Sequence, residues 1–372
     1  MSEPKRIVLL GATGSIGEST LEVIRRNRSR FQLCGVAANR SATALEEICR
    51  EFEVTQSSLF KDEGIDGLMR LASLPEADLV IVATTGTIGL RPTIAGLQSG
   101  KTVGLANKET LVLGGQFVMP VAQSGPGRLL PVDSEHNAIF QCLQAASGDH
   151  TLARILLTAS GGPFLHHTGR ELEAVTVEEA LAHPNWDMGP KVTVDSATMA
   201  NKGLEMIEAK WLFNLQPDQI EVVIHPQSII HSMVEFLDGS VIAQMAPPSM
   251  TFPIQHVLSY PERIPPARPG LDFSTIQRLE LRPPDFEKFP NLRLAAEALR
   301  AGDLAPAVYN AANAVAVEAF LQRRISLLQI PEIISRSLGN SRFTMPASVE
   351  DLIDLETELT AFARGQLKEI KN

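Results

Sequence analysis

An apolar run, Leu129 to Val132, breaks off at Asp133, Ser134 and Glu135 and gives way to a helix-like pattern. If the backbone is extended there, Asp133 and Glu135 share a face with Ser134 opposite. Two carboxylates that close repel unless a cation, a proton or water screens them. A strand end followed by a helix N-cap accounts for the same letters, so the pair alone does not specify a metal. A second stretch, "VDSATMANKGLEMIEA" (194–209), adds what the pair lacks. Ser196, Asn201 and Lys202 offer hydroxyl, amide and ammonium donors, joined by Ser160 in "TASGGPF" (158–164). Neutral donors plus one cation suit a phosphate group. On a helix, Asn201 and Glu205 lie four residues apart and share a face, which puts a phosphate donor and a carboxylate in one cavity. Glu205 is therefore the expected third ligand beside Asp133 and Glu135. Three carboxylates without a histidine or cysteine cluster suit a hard, oxygen-preferring ion such as Mg²⁺ or Mn²⁺.

A redox cofactor is signalled separately. "RIVLLGATGSIGEST" (6–20) places Gly11, Gly14 and Gly17 after a strand and at the opening of a helix. That context lets the backbone approach a pyrophosphate at the helix N-terminus; a tight turn in some other doubly wound fold is the alternative. NAD-binding chains place an acid at the end of the second strand to hold the ribose hydroxyls. Here "AANRSA" (37–42) has none, and Arg40, between Asn39 and Ser41, suits the 2′-phosphate of NADP. A solvated loop arginine is the competing reading. "GLANKETLVLGG" (104–115) sets Asn107, Lys108 and Glu109 where another strand meets its helix, the edge at which open α/β sheets bind ligands. "AHPNWDMGPK" (182–191), with His183, Trp186, Met188 and Gly189, reads as a lid loop punctuated by proline and glycine. Trp211 reads as core, and His225 and His231 as structural.

These residues need a scaffold, and the hydrophobic pattern supplies one. Short β-branched runs at 6–10, 31–37, 78–84, 102–106 and 128–132 alternate with helical patterns at 16–27 and 42–52. Such alternation predicts an α/β, Rossmann-like, doubly wound parallel sheet. Strands are then expected at 153–159, 191–195, 221–225, 229–236 and 240–246, the last two forming a hairpin, with one helix over 196–213. That is a central α+β catalytic domain. Residues 266–290 read as a proline-rich linker and 291–372 as a helical bundle. The expected division is thus 1–133 for NADPH, 134–265 for metal, substrate and lid, then linker and bundle. A chain of 372 residues with 44% hydrophobic and 20% charged residues is globular and multidomain. Its net charge of −10 argues against nucleic-acid binding. Three scattered cysteines, no signal-like N-terminus and no apolar stretch of spanning length lead to the expectation of a cytoplasmic protein without membrane contact.

In order along the chain, "GATGSIG", "ANKE", "VDSEHNAIFQCL", "ASGGPF", "HPNWDMG", "DSATMANKGLE" and "VIHPQSIIHSMVEF" resemble the 1-deoxy-D-xylulose 5-phosphate reductoisomerase family, from about residue 6 to 260, with "NAAN" (310–313) extending the likeness. The resemblance implies conversion of 1-deoxy-D-xylulose 5-phosphate to 2-C-methyl-D-erythritol 4-phosphate with NADPH and a divalent metal (Mg²⁺, Mn²⁺ or Co²⁺), in a homodimer serving isoprenoid precursor synthesis. It matches Asp133, Glu135 and Glu205 to metal ligands, and Ser134, Ser160, His183, Ser196, Asn201 and Lys202 to substrate contacts. Lys108 matches a lysine near metal and substrate, Trp186 the lid residue, and Thr13, Gly14, Ser15 and Ile16 the cofactor loop. Ser41 stands where Asn is usual, Ala246 and Ser249 where Gly and Asp are common, and Ala314 where Glu often follows "NAAN". Two other readings share part of the pattern. A different metal-assisted NADP-dependent sugar-phosphate dehydrogenase has no need of "HPNWDMG", and a non-catalytic NADP-sensing regulator has no need of three carboxylates.

Overall fold

The computed structural model describes residues 3–145, 152–186, 188–276 and 278–370. It divides into two compact units that interleave along the chain: Met1–Gln141 with Ser249–Leu271, and Cys142–Pro248 with Asp272–Asn372.

In the first unit, β1 (Lys5–Leu10), α1 (Ser15–Arg26), β2 (Phe31–Ala38), α2 (Ala42–Phe52), β3 (Gln56–Leu59), α3 (Phe60–Ala72), β4 (Leu79–Val82), α4 (Leu90–Gln98), β5 (Thr102–Leu105), α5 (Glu109–Ser124), β6 (Arg128–Pro131) and α6 (Ser134–Ala145) follow one another. All six strands are parallel, in the order β3-β2-β1-β4-β5-β6. Order reverses between β1 and β4, and in doubly wound sheets the crevice at that switch point binds the ligand. Ile7 to Leu10 and Leu79 to Val82 are at most 1% exposed, as expected of central strands covered on both faces. The sequence pattern did not single out β3, because "QSSL" is polar and short. From the returning segment, α11 (Thr251–Ser259) puts Ile254, Val257 and Leu258 into the same core. Lys5 Nζ secures it by donating to the Leu258 and Tyr260 carbonyls at 2.9 and 3.0 Å.

The second unit runs β7 (Leu152–Ala159), α7 (Gly169–Leu172), α8 (Val177–Ala180), α9 (Pro190–Ala197), α10 (Ala200–Phe213), β8 (Ile220–Ile224), β9 (Ile230–Phe236) and β10 (Val241–Met245). After the excursion to the first unit come α12 (Pro290–Ala301), α13 (Ala305–Leu321), α14 (Gln329–Asn340) and α15 (Val349–Ile370). Its sheet has the order β10-β9-β7-β8, with β8 parallel to β7 and an antiparallel β9–β10 hairpin, as expected. Two expectations are corrected. Residues 191–195 are not a strand but the body of α9: Pro190 opens the helix with its φ already set, and Thr193 to Asp195 are buried, so β-branched alternation mimicked a sheet. The single helix expected over 196–213 is two, broken at Met199, whose φ is +61°. α10 packs on α12 where a side chain at Gly203 would sit 2.4 Å from Ala295 Cβ.

Candidate active site

The turn after β1 is shaped partly by its own chain and partly for something else. Gly11 has φ +93°, and a Cβ there would lie 2.3 Å from the Ala83 carbonyl oxygen; one at Gly17 would lie 2.4 Å from the Gly11 oxygen. Both positions exclude side chains by packing. Gly14 caps α1 in extended conformation, and a Cβ there would meet nothing nearer than the Gly11 oxygen at 3.6 Å. Its bareness answers to no close packing among the described residues, and with exposed Ser15 it presents the helix N-terminus outward, which fits a pyrophosphate. Thr13 and Ile16 flank it, half-buried. Asn39, Arg40 and Ser41 are exposed at the carboxyl end of β2, on the same edge of the sheet. Asn107 is buried and saturated: its amide donates to the carbonyls of Thr84, at 2.6 Å, and Gly86, and its oxygen accepts from Thr110 N–H and Oγ1 at 2.9 Å. It ties the loop after β4 to the start of α5, whose first residue is half-buried Glu109.

The Asp133–Glu135 pair is not arranged as the extended reading supposed. The helix α6 begins at Ser134, so Asp133 precedes its first turn and Glu135 lies within it. Asp133 Oδ1 accepts from the Glu135 N–H at 3.3 Å, and the Ser134 hydroxyl donates to Glu135 Oε2. Asp133 Oδ2 lies 2.8 Å from Lys108 Nζ, and its Oδ1 3.2 Å from His136 Nδ1. Burial works hardest against charge on Asp133, yet the Lys108 ammonium and the His136 hydrogen bond together hold its pKa well below the usual carboxylate range. An ionised carboxylate with an oxygen-rich neighbour is the donor set a hard cation requires.

The second unit gathers the remaining residues. Ser160 follows β7, and Gly162, at φ +67°, brings the turn so close to α9 that a Cβ would sit 2.6 Å from the Ser196 carbonyl oxygen. His183 Nδ1 accepts the N–H groups of Asn185 and Trp186 at 3.1 and 3.0 Å, so its proton sits on Nε2, 3.1 Å from Ser160 Oγ. Burial lowers its pKa to about 4. Ser160 Oγ also accepts from Gly162 N–H at 3.2 Å, which turns its own hydroxyl proton outward as a donor. Asn185 fastens the loop to Pro226 O at 2.7 Å, and the Trp186 ring meets His231 edge-on with centroids 6.2 Å apart. Gly189 caps α9, and Asp187 lies outside the described residues. On α10, Asn201 and Lys202 both donate to Glu205, which is 1% exposed; the shared helix face is as expected. His225 and His231 are buried, but Trp211 is only half-buried, under the Lys210 ammonium. Two residues in or beside these groups went unnoticed in the sequence. His136 was hidden inside a helical pattern, and Asp195 was passed over beside Ser196 in a stretch read as strand.

Among family profiles, 1-deoxy-D-xylulose 5-phosphate reductoisomerase matches residues 7–115, its C-terminal domain 129–213, and DXP reductoisomerase C-terminal domain 245–362. The enzyme of that name from Pelotomaculum thermopropionicum is 48% identical over 371 residues, covering 95% of this chain and 96% of its own. That from Nitrosomonas europaea is 47% identical, covering 99% and 95%. The structure of the Zymomonas mobilis enzyme in complex with NADPH superposes with TM-score 0.89 at 40% identity, over 97% of this chain and 98% of that one. A DOX-P reductoisomerase in complex with NADPH, fosmidomycin and magnesium gives 0.92 at 37% identity, over 99% of both chains. The chain belongs to the 1-deoxy-D-xylulose 5-phosphate reductoisomerase family.

Proposed function

We propose that this member of the family converts 1-deoxy-D-xylulose 5-phosphate to 2-C-methyl-D-erythritol 4-phosphate, in isoprenoid precursor synthesis, using the residues described above. The reaction depends on NADPH and a divalent metal, and the observation that carries it is likeness, over 99% of the chain, to a structure holding NADPH and magnesium. When bound, the ion supplies Lewis-acid stabilisation of charge on substrate oxygens, and NADPH supplies the hydride that reduces the rearranged aldehyde.

The chain's own residues do the rest. Asp133, Glu135 and Glu205 hold the ion, supported by the ionised state of Asp133 and the buried carboxylate of Glu205. Magnesium fits this oxygen set; manganese and cobalt fit it as well. Lys108 stands beside Asp133, its ammonium 2.8 Å from Oδ2, and Ser134 offers substrate a hydroxyl. Ser160, held by His183 with its proton outward, donates to the phosphate with Ser196, Asn201 and Lys202. Were Glu205 to hold the ion, Asn201 and Lys202, which here donate to it, would be available for that purpose. Trp186 covers the substrate and excludes water from the intermediate. Thr13 to Ile16 and Gly189 cradle NADPH, Asn39, Arg40 and Ser41 take its ribose phosphate, and Asn107 and Glu109 shape the pocket edge. Residues 1–133 serve the cofactor, 134–265 metal, substrate and lid, 266–290 the link, and 291–372 the bundle behind α10.

Homodimerisation is supported by β10, an edge strand among the described residues, with Val241 48% exposed and Leu237, in the turn that precedes the strand, 71% exposed; such an edge invites a partner. Three free cysteines support a reducing, cytoplasmic setting. No described helix is long and apolar enough to cross a membrane. The direct test is incubation with 1-deoxy-D-xylulose 5-phosphate, NADPH and Mg²⁺. A product with the mass of 2-C-methyl-D-erythritol 4-phosphate, formed one for one with NADPH consumed, is expected; NADPH oxidation without it would defeat the proposal.

A further inference from the structure

We infer that Asp195, anchored by Asn313 of α13, is a positioning residue that sets Ser196 and the α9–α10 break for binding the substrate's phosphate. The inference rests on the phosphate reading above and adds to it two residues that reading does not use. Asp195 is 1% exposed, and a carboxylate so deep is retained only with charged or hydrogen-bonding partners. Its Oδ1 accepts from Asn313 Nδ2 at 2.7 Å and its Oδ2 from Lys191 Nζ at 2.9 Å. One partner lies on its own helix and the other 118 residues away in the chain.

Stability is often served as well by an apolar pair of the same volume. What the ionic arrangement fixes is orientation. The neighbouring Ser196 carbonyl is abutted by Gly162 and accepts the Met199 N–H at 3.1 Å, and Thr198 Oγ1 donates back to Val194 and Asp195 carbonyls at 3.1 and 3.3 Å. Met199 then takes its left-handed conformation, and α10 starts, bringing Asn201 and Lys202. The last turn of α9 and the break after it are therefore held through local backbone bonds and, at the Asp195 side chain, by α13, a helix that carries none of the expected phosphate donors. Asn313 itself is 0% exposed and its Oδ1 has no hydrogen-bond partner among the described residues, so among them Asp195 is what orients its amide.

The test compares Asp195→Asn and Asn313→Ser with Ser196→Ala, each assayed well below its own melting temperature, on 1-deoxy-D-xylulose 5-phosphate and on unphosphorylated 1-deoxyxylulose. Both positioning variants should raise KM for the phosphorylated substrate and weaken competition by inorganic phosphate on the order of tenfold or more, since small misplacements of a binding group are costly. KM for NADPH and efficiency on the unphosphorylated sugar should stay within about twofold. Asp195→Asn placed on Ser196→Ala should add little. Equal loss on both sugars would show a merely structural role and overturn the inference, as would an unchanged KM in both variants. If Ser196→Ala itself spares the phosphorylated substrate, the phosphate reading fails first, which separates the two failures.

Discussion

Asp133 is the residue at which the proposed metal site is most directly tested. Its side chain is 13% exposed beside a Lys108 side chain at 11%, a setting in which losing either charge is expensive. Asp133→Asn preserves shape but leaves the Lys108 ammonium facing a neutral amide. A loss of about 3 kcal/mol in stability is expected, the lower end for a broken buried pair, together with metal affinity reduced by orders of magnitude. NADPH binding, measured by its fluorescence on the protein, should persist, because the Gly14 turn follows a different strand. Glu205→Gln should weaken metal binding similarly, and the double mutant should lose little beyond either single change if one ion takes both carboxylates. Retention of full activity in a chelator, or additive losses, would refute a shared ion. Arg40 supplies a second test at this scale. It stands exposed after β2 with no acid in the flanking sequence from Ala37 to Ala42, so Arg40→Ala should raise KM for NADPH on the order of tenfold to a hundredfold, the worth of a charge-assisted hydrogen bond, and leave KM for NADH nearly unchanged. Equal shifts for both cofactors would remove it from the 2′-phosphate.

Among the elements, the loop between α8 and α9 is tied at both ends. His183 and Asn185 bind its start to Ser160 and Pro226, and at its end the Gly189 carbonyl accepts from Thr193 N–H and Oγ1, both at 3.0 Å. Closure is therefore expected to show at Trp186, between those two ties. Tryptophan emission of a Trp211→Phe variant, which isolates Trp186, should change when fosmidomycin binds with Mg²⁺; unaltered emission and quencher access would count against a lid. The elements also show what the letters could and could not convey. Parallel strands buried on both faces announce themselves as apolar runs, and β1, β2, β4, β5 and β6 were legible for that reason. β3 was not, since its "QSSL" carries no hydrophobic signature. α9 was misread because burial on several sides erased its helical period, and the break at Met199 depends on a left-handed φ that no glycine advertises. Asp133 and Glu135 were recognised as a pair, but their geometry was not: the helix starts one residue earlier than a shared strand face requires. Asp195 escaped because its partner, Asn313, reaches it only through the tertiary fold.

For the molecule as a whole, acid should be destabilising before its carboxylates are protonated. Burial is the leading cause that lowers His183, His231 and His256 to a pKa of about 4, against an unfolded value near 6.5. Between those values the unfolded chain binds protons that the folded chain refuses, so unfolding free energy rises with pH across the window. The stability these groups contribute is complete above about pH 6.5 and is lost as pH falls toward 4. Asp133 acts in the same direction at lower pH: its depressed pKa contributes above the unfolded carboxylate value and is lost only as pH falls through the folded one. The histidines therefore govern the mildly acid range, and they are divided between the units, His256 in the first and His183 and His231 in the second. In the first, His256 Nδ1 accepts from Asn137 Nδ2, 3.2 Å away, and that amide also donates to Pro131 O at 2.9 Å. Protonating His256 would oppose two donors at one contact, linking acid sensitivity to the start of α6. Urea midpoints recorded at pH 7.5 and pH 5.0 should fall in acid for the wild-type chain, and fall less for His256→Gln, which keeps an acceptor but cannot take the proton. The residual fall should then belong to His183 and His231, so His183→Gln added to His256→Gln should flatten the profile further. Midpoints that coincide at the two pH values in the wild type, or an undiminished fall in the double variant, would show that these histidines are not held neutral by the fold.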